Sequence, residues 1–173
     1  MPTNMQNFIA RNYLSPLYER EHRGFKWIQM DSIAPHQRSD YRWFTEISTR
    51  WLDNDVYGHI NNVVYYSFFD TAVNQFLIES GVLDFRSGSQ IGLVVETGCN
   101  YFAPLAYPQK IDAGIRVARI GSSSVRYEVG LFASGALAAA AQGHFVHVYV
   151  NKESRRPQVL GANLRATLEQ ILI

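Results

Sequence analysis

Between Arg50 and Gly81 the chain reads RWLDNDVYGHINNVVYYSFFDTAVNQFLIESG, a short polar loop followed at once by a long apolar segment. In the segment from Asn62 to Ser80, Val63, Val64, Tyr65, Tyr66, Phe68, Phe69, Ala72, Val73, Phe76, Leu77 and Ile78 occupy most of a helical circumference. That pattern predicts a helix buried on most sides. Asn61 or Asn62 suits its N-cap, and Gly81 sits where a left-handed C′ residue belongs. The loop ahead of it, Asp53 to Asn62, carries Asp, His and Asn side chains. A helix that begins there directs its unpaired N–H groups and positive dipole end at them, a geometry suited to developing negative charge.

The rest of the chain supplies strands to cover such a helix. Tyr41 to Leu52 reads as a first strand, rich in aromatic and β-branched residues. Val82 to Gln90 is a connector. Four further strands follow: Ile91–Phe102, Lys110–Ile120, Ser123–Phe132 and Ala136–Val150, each closed by Pro, Gly or Asn-Lys. The alanine run from Ala138 to Ala141 has helical propensity, but it leads without a break into HFVHVYV, which alternates with period two, so it is assigned to the last strand. Short connections imply antiparallel neighbours. A curved antiparallel sheet with one helix on its concave face is the economical arrangement. Gly161 to Ile173 reads as a terminal helix with Leu164, Leu168, Ile171 and Leu172 on one side. Residues 1–40 have no clean period beyond a short helix up to Ser15. They read as an extension that packs on the body or on a partner subunit. The division is therefore an extension over 1–40, one domain over 41–157 and a C-terminal helical segment over 158–173.

Charge and composition exclude several function classes. The net charge is +1, which offers no electrostatic basis for binding nucleic acid or an anionic membrane. No apolar run reaches membrane-span length, and no secretory signal pattern opens the chain. One cysteine, Cys99, excludes an internal disulfide and favours a reducing compartment, so the expected location is the cytoplasm.

Asp53 and Asp55 lie in an Asp-Asn-Asp run, which is a turn signal in its own right. The neighbouring Gly58, His59, Asn61 and Asn62 add a second reading, a carboxylate base or nucleophile opposite an oxyanion site. His59 shapes the loop or takes part in it. Asp55 and His59 alone make no metal-ligand set, and His144 and His147 point to opposite faces of a strand. Cys99 lacks a basic neighbour and reads as a small hydrophobe. Gly121-Ser122-Ser123-Ser124 reads as a hairpin turn or a phosphate contact. Asp70 is a lone charge in the apolar helix, so a partner or an exposed edge is expected for it. Nucleophile-elbow, dinucleotide-binding and Walker motifs are all missing from the sequence.

RWLDNDVYGHINNVVYYSFFD resembles the signature of the hotdog-fold acyl-CoA thioesterases of the 4-hydroxybenzoyl-CoA thioesterase type. Arg50, Trp51, Asp53, Asp55, Gly58, His59, Asn61, Asn62, Tyr65 and Asp70 fall on that pattern. The resemblance continues through NYFAPL and GHFVHVYVNKESRRP and covers roughly residues 41–157. It implies an α+β hotdog fold, a long central helix wrapped by a five-stranded antiparallel sheet. It also implies a homodimer or homotetramer with active sites at the subunit interface. The expected reaction is hydrolysis of an acyl-CoA or acyl-carrier-protein thioester. Asp55 is then base or nucleophile, assisted by His59, Asn61 and Asn62, with Tyr57, Gly58, Tyr65, Ser123 and Ser124 on the substrate. No metal or bound cofactor is implied; coenzyme A is part of the substrate. A non-catalytic acyl-thioester-binding protein is the alternative. A hotdog hydratase or dehydratase ranks lower, because the loop lacks their Asp-x-Asn-Pro-x-x-His type sequence.

Overall fold

The apolar alternation of the strands and the aromatic helix meet in one sheet-on-helix unit. In a computed structural model, residues 33–173 are described, Phe85 excepted. Strand β1 (Trp43–Ser48) precedes helix α1 (Asn62–Glu79). Strands β2 (Gln90–Tyr101), β3 (Lys110–Ile120), β4 (Ser124–Ala133) and β5 (Ala141–Asn151) and helix α2 (Ala162–Glu169) follow. The sheet order is β1-β3-β4-β5-β2, with every neighbouring pair antiparallel, and α1 packs on its concave face. This is the hotdog arrangement.

Helix α1 starts where the sequence signals it. Asn61 is the N-cap, its side chain accepting from Val63 N–H. Gly81 adopts φ +68°, which only glycine takes without strain, and lets the Val82 N–H return to the Leu77 carbonyl at 3.0 Å. Tyr65, Phe68, Phe69, Ala72, Val73, Phe76 and Leu77 are buried against the sheet, a stripe at i, i+3, i+4 spacing. Each large member contributes about 2–3 kcal/mol through burial. The expectation of burial on most sides is corrected here. One sheet covers one face only, and Val63 and Ile78 on the other face are 64% and 48% exposed.

Other boundaries also move. The first strand ends at Ser48, not Leu52, because Arg50 and Asp53 fold Trp51–Asp53 into a 3-10 turn. Residues 136–140 are not strand; their backbone is tied instead to the segment ahead of β1, with Arg38 N–H donating to Leu137 O and Ala139 N–H to His36 O. The terminal helix stops at Glu169, leaving Leu164, Leu168 and Ile171 buried and Leu172 exposed. Of the extension, residues 33–40 lie on the convex face of the sheet, where Tyr41 follows them. The Tyr41 ring lies over Gly114 and Gly130; a β-carbon at Gly130 would meet it at 2.5 Å. The short helix read before Ser15 lies outside the described residues.

His147 on β5 is buried on the concave side, packed by Tyr127, Phe145 and Tyr149. Burial pushes its pKa down to about 4, against an opposing pull from the Asp70 carboxylate. Between about pH 6.5 and pH 4 the unfolded chain therefore binds a proton that the folded chain refuses, so stability falls as pH falls through that window. The full loss is of order 3 kcal/mol. Urea unfolding at pH 7 and pH 4.5 is expected to show this loss in the wild type and a smaller one in His147→Phe. Equal losses in the two would contradict it.

Candidate active site

Arg50 to Asn62 connects the end of β1 to the start of α1, and the chain uses Asp53 to hold it in place. Asp53 is completely buried. Its carboxylate accepts from the Arg50 backbone N–H at 2.6 Å and from the Arg50 guanidinium at 2.8 Å. Its carbonyl accepts from Asn61 N–H at 2.9 Å. Asp53 thus joins the two ends of the loop. Asn54 fastens the middle, its side-chain oxygen accepting from Tyr107 N–H at 3.0 Å.

The exposed tip is a tight turn organised by Asp55. Asp55 N–H donates to His59 O at 2.8 Å and Gly58 N–H to Asp55 O at 3.1 Å. The Asp55 carboxylate accepts from Tyr57 N–H at 2.8 Å and more weakly from His59 N–H at 3.4 Å. Gly58 takes φ +82°, so the turn requires glycine there. Asp55 is half-buried; Tyr57, Gly58 and His59 stand exposed around it.

The loop and helix meet over Leu105. Ile60 N–H donates to its carbonyl at 2.8 Å, and its backbone also bonds the Tyr65 hydroxyl. Burial pushes the Tyr65 pKa to about 12, and the nearby Asp55 charge adds to that shift. Tyr65 is buried, with its hydroxyl engaged by the backbone, so it holds the site together rather than projecting into solvent. The Tyr65 ring meets Tyr101 edge-on at 4.9 Å, and the Tyr101 hydroxyl donates to Asn62 O at 3.1 Å. Cys99 lies beside this pair with its thiol pushed up to about 11 by burial, which keeps it protonated at neutral pH.

At the start of α1, Val63 N–H is capped by the Asn61 side chain, and Val64 N–H donates to Asn61 O. Asn62 N–H is left without a partner among the described residues, facing the same end of the helix as the loop. Asn61 acts here as a cap, its oxygen already in use. The structure therefore brings Asp55, Gly58, His59, Asn61, Asn62 and Tyr65 together, with Tyr57 at the rim. Ser123 and Ser124 are elsewhere. They sit in the β3–β4 turn, at the end of the sheet opposite the Ser48–Lys110 pairing from which the loop leaves. There the Ser123 carbonyl accepts from Tyr149 N–H and Ser124 O from Gly121 N–H. Within one chain they cannot share a ligand with Asp55. Tyr101, Leu105 and Asn54 are site residues that sequence reasoning did not single out, although Tyr101 and Leu105 fall inside NYFAPL.

Chemically, the site offers a half-buried carboxylate in the loop that leads into a helix N-terminus. Its surroundings are apolar and open: Trp51 and Tyr57 are 80% and 83% exposed, and Trp51 meets Tyr107 edge-on. Among the described residues no group of three or more His, Cys, Asp and Glu side chains is placed to hold a metal. No helix among them is long and apolar enough to cross a membrane.

Residues 49–168 match the family model described as the thioesterase-like superfamily. Among solved structures, the PA5185 protein from Pseudomonas aeruginosa is 54% identical, covers 81% of this chain and 97% of its own, and superposes with a TM-score of 0.78. Two more distant structures share the fold. Slr0204, a 1,4-dihydroxy-2-naphthoyl-CoA thioesterase from Synechocystis, is 13% identical over 72% of this chain and 93% of its own, TM-score 0.66. The dynemicin thioesterase is 12% identical over 75% and 96%, TM-score 0.70. No curated protein matches.

Proposed function

The chain belongs to the thioesterase-like superfamily, and from that premise we propose that it is an acyl-CoA thioesterase of the 4-hydroxybenzoyl-CoA thioesterase type. It hydrolyses an acyl thioester to a carboxylic acid and coenzyme A. The observation that carries this reading is the Asp55 carboxylate, held by the turn amides of Tyr57 and His59 in the loop that runs into the N-terminus of α1.

In the proposed reaction the thioester carbonyl lies against Asn62 N–H, whose position at the positive end of α1 stabilises the developing oxyanion. Asp55 either takes a proton from water as it attacks the carbonyl, or attacks it directly to form an anhydride that water then opens. In the first route the tetrahedral intermediate collapses to the acid with departure of the coenzyme A thiolate; in the second the thiolate departs as the anhydride forms, and water then releases the acid and frees Asp55. The thiolate is a good enough leaving group to need no strong acid. Asn61 positions the helix start through its cap, and His59 shapes the turn. Coenzyme A enters as part of the substrate, with no separate cofactor or metal.

The same reading assigns the protein to the cytoplasm and to a homodimer or homotetramer. Among the described residues strand β2 is a sheet edge with no further strand beside it, and open edges are paired or protected in native proteins. A second subunit there would also bring its own surface against the exposed loop. Ser123 and Ser124 then reach coenzyme A only from a partner subunit.

A free-thiol assay over acyl-CoAs from short to long, with aromatic members and an acyl-carrier-protein ester, tests the reading. Release of thiol from at least one member at micromolar enzyme is the expected result. Binding of a member without any release would replace hydrolysis by the non-catalytic acyl-thioester-binding reading.

A further inference from the structure

The first residue of a helix is the part most prone to fray, because its own amide has no partner in the ladder. In α1 that residue is Asn62. The loop side of the helix start is fixed by Asp53, whose carbonyl accepts from Asn61 N–H at 2.9 Å, and by the Asn61 side chain on Val63 N–H. The sheet side is fixed by one segment, the end of β2 and the residues after it. Ile60 N–H donates to the Leu105 carbonyl at 2.8 Å, and the Tyr101 hydroxyl donates to the Asn62 carbonyl at 3.1 Å. Contacts from β2 and its exit therefore fall on both sides of Asn61.

Tyr101 is well placed to act as a fixed support. It is the last residue of β2 and pairs with Ala141 of β5. The backbone stays tied beyond it, with Phe102 N–H and Ala103 N–H both donating to the Ala140 carbonyl, at 2.8 and 3.0 Å. Its ring meets Tyr65 edge-on at 4.9 Å, which sets the direction of the hydroxyl. Burial raises the Tyr101 pKa above its ordinary value, so the hydroxyl remains a donor at neutral pH. A carbonyl oxygen has two lone pairs, so Asn62 can accept this bond and keep its place in the helical ladder.

We propose that Tyr101 is a positioning residue for hydrolysis, its hydroxyl holding the first residue of α1 in the orientation that presents the Asn62 amide to the thioester carbonyl. This rests on the thioesterase reading above. An oxyanion donor acts through its aim, and a small displacement of a positioned group lowers a rate many-fold. Tyr101 itself touches no reacting atom in this scheme. The bond lies at the exposed start of the helix, where water competes for both partners, so its loss weakens the fold little.

The test compares wild type, Tyr101→Phe, which keeps the ring and its packing on Tyr65, and Tyr101→4-aminophenylalanine, which restores an N–H donor at the same place. Thiol release is measured on the best acyl-CoA of the panel, with melting curves and amide hydrogen exchange at Val63 and Val64. In Tyr101→Phe, kcat is expected to fall about tenfold with KM within about twofold. The melting temperature is expected within about 4 °C of wild type. The two valine amides are expected to exchange at least about threefold faster. The 4-aminophenylalanine variant is expected to recover most of kcat and of the protection. Unchanged kcat in Tyr101→Phe overturns the proposal, whether or not exchange rises. So does a lower kcat with unchanged exchange, a larger loss of melting temperature, or a donor variant no better than phenylalanine. A wild type that releases no thiol from any member of the panel removes the thioesterase reading, and this proposal with it. An active wild type matched by Tyr101→Phe removes this proposal alone.

Discussion

Asp53→Ala is expected to lower the unfolding free energy by about 2–3 kcal/mol, although the residue lies only two positions from the proposed catalytic carboxylate. Asp53 is fully buried, and its carboxylate accepts the Arg50 backbone N–H at 2.6 Å. Truncation removes that charge-assisted bond and leaves the amide unpaired, which costs the desolvation of the orphaned donor. The contact with the Arg50 guanidinium adds little, since that side chain is 62% exposed and its charge is screened by water. For a chain of this length the loss corresponds to a fall in melting temperature of roughly 5–10 °C. Activity is expected to fall as well, because Asp53 joins both ends of the loop that carries Asp55. Asp53→Asn preserves shape and one acceptor, so it should lie between wild type and alanine. Thermal melts of the three proteins check the order; an alanine variant as stable as wild type would contradict it.

Local signals carried part of the fold and stopped where tertiary context decided. Helix α1 was legible to its ends because Asn61 and Gly81 act through their own backbones, and a cap needs no distant partner. Strands β2 to β4 were legible within one residue at each end for the same reason: Gly and Pro interrupt the alternation. The alanine run was misassigned because alanine packs in any state. Its conformation comes from bonds to His36 and Arg38, about a hundred residues away in the chain. The extent of burial around α1 was overestimated because the aromatic residues Tyr65, Tyr66, Phe68 and Phe69 show hydrophobicity on several faces but not which face the sheet occupies.

The site was legible in its members more than in their roles. Asp53 and Asp55 look alike in an Asp-Asn-Asp run; only burial separates the clamp from the half-exposed carboxylate. Asn61 was read both as a cap and as part of the catalytic set, and its side chain caps Val63. Ser123 and Ser124 are expected on the substrate, but β3 and β4 carry them to the end of the sheet far from the loop. No residue spacing could have revealed that neither ring nitrogen of the buried His147 has a partner among the described residues, since that is a property of the packed core.

Asp55→Asn is expected to abolish most of the turnover while leaving the fold unchanged. Asparagine keeps the size and an oxygen that can accept the Tyr57 and His59 amides, so the turn should persist. It removes the negative charge and the basicity, so it can neither activate water nor attack a carbonyl. Loss of an acid–base group costs typically about a hundredfold or more in rate. Affinity for a thioether analogue should change much less, because binding depends on contacts to the acyl chain and to coenzyme A. The contrast with Asp53 is deliberate: one aspartate should move the melting temperature, the other the rate. The decisive measurement is steady-state thiol release by wild type and Asp55→Asn on the best acyl-CoA of the panel, with melting curves recorded on the same samples. The account predicts at least about a hundredfold lower kcat in the variant at an unchanged melting temperature, whereas near-normal turnover by a folded Asp55→Asn protein would contradict it.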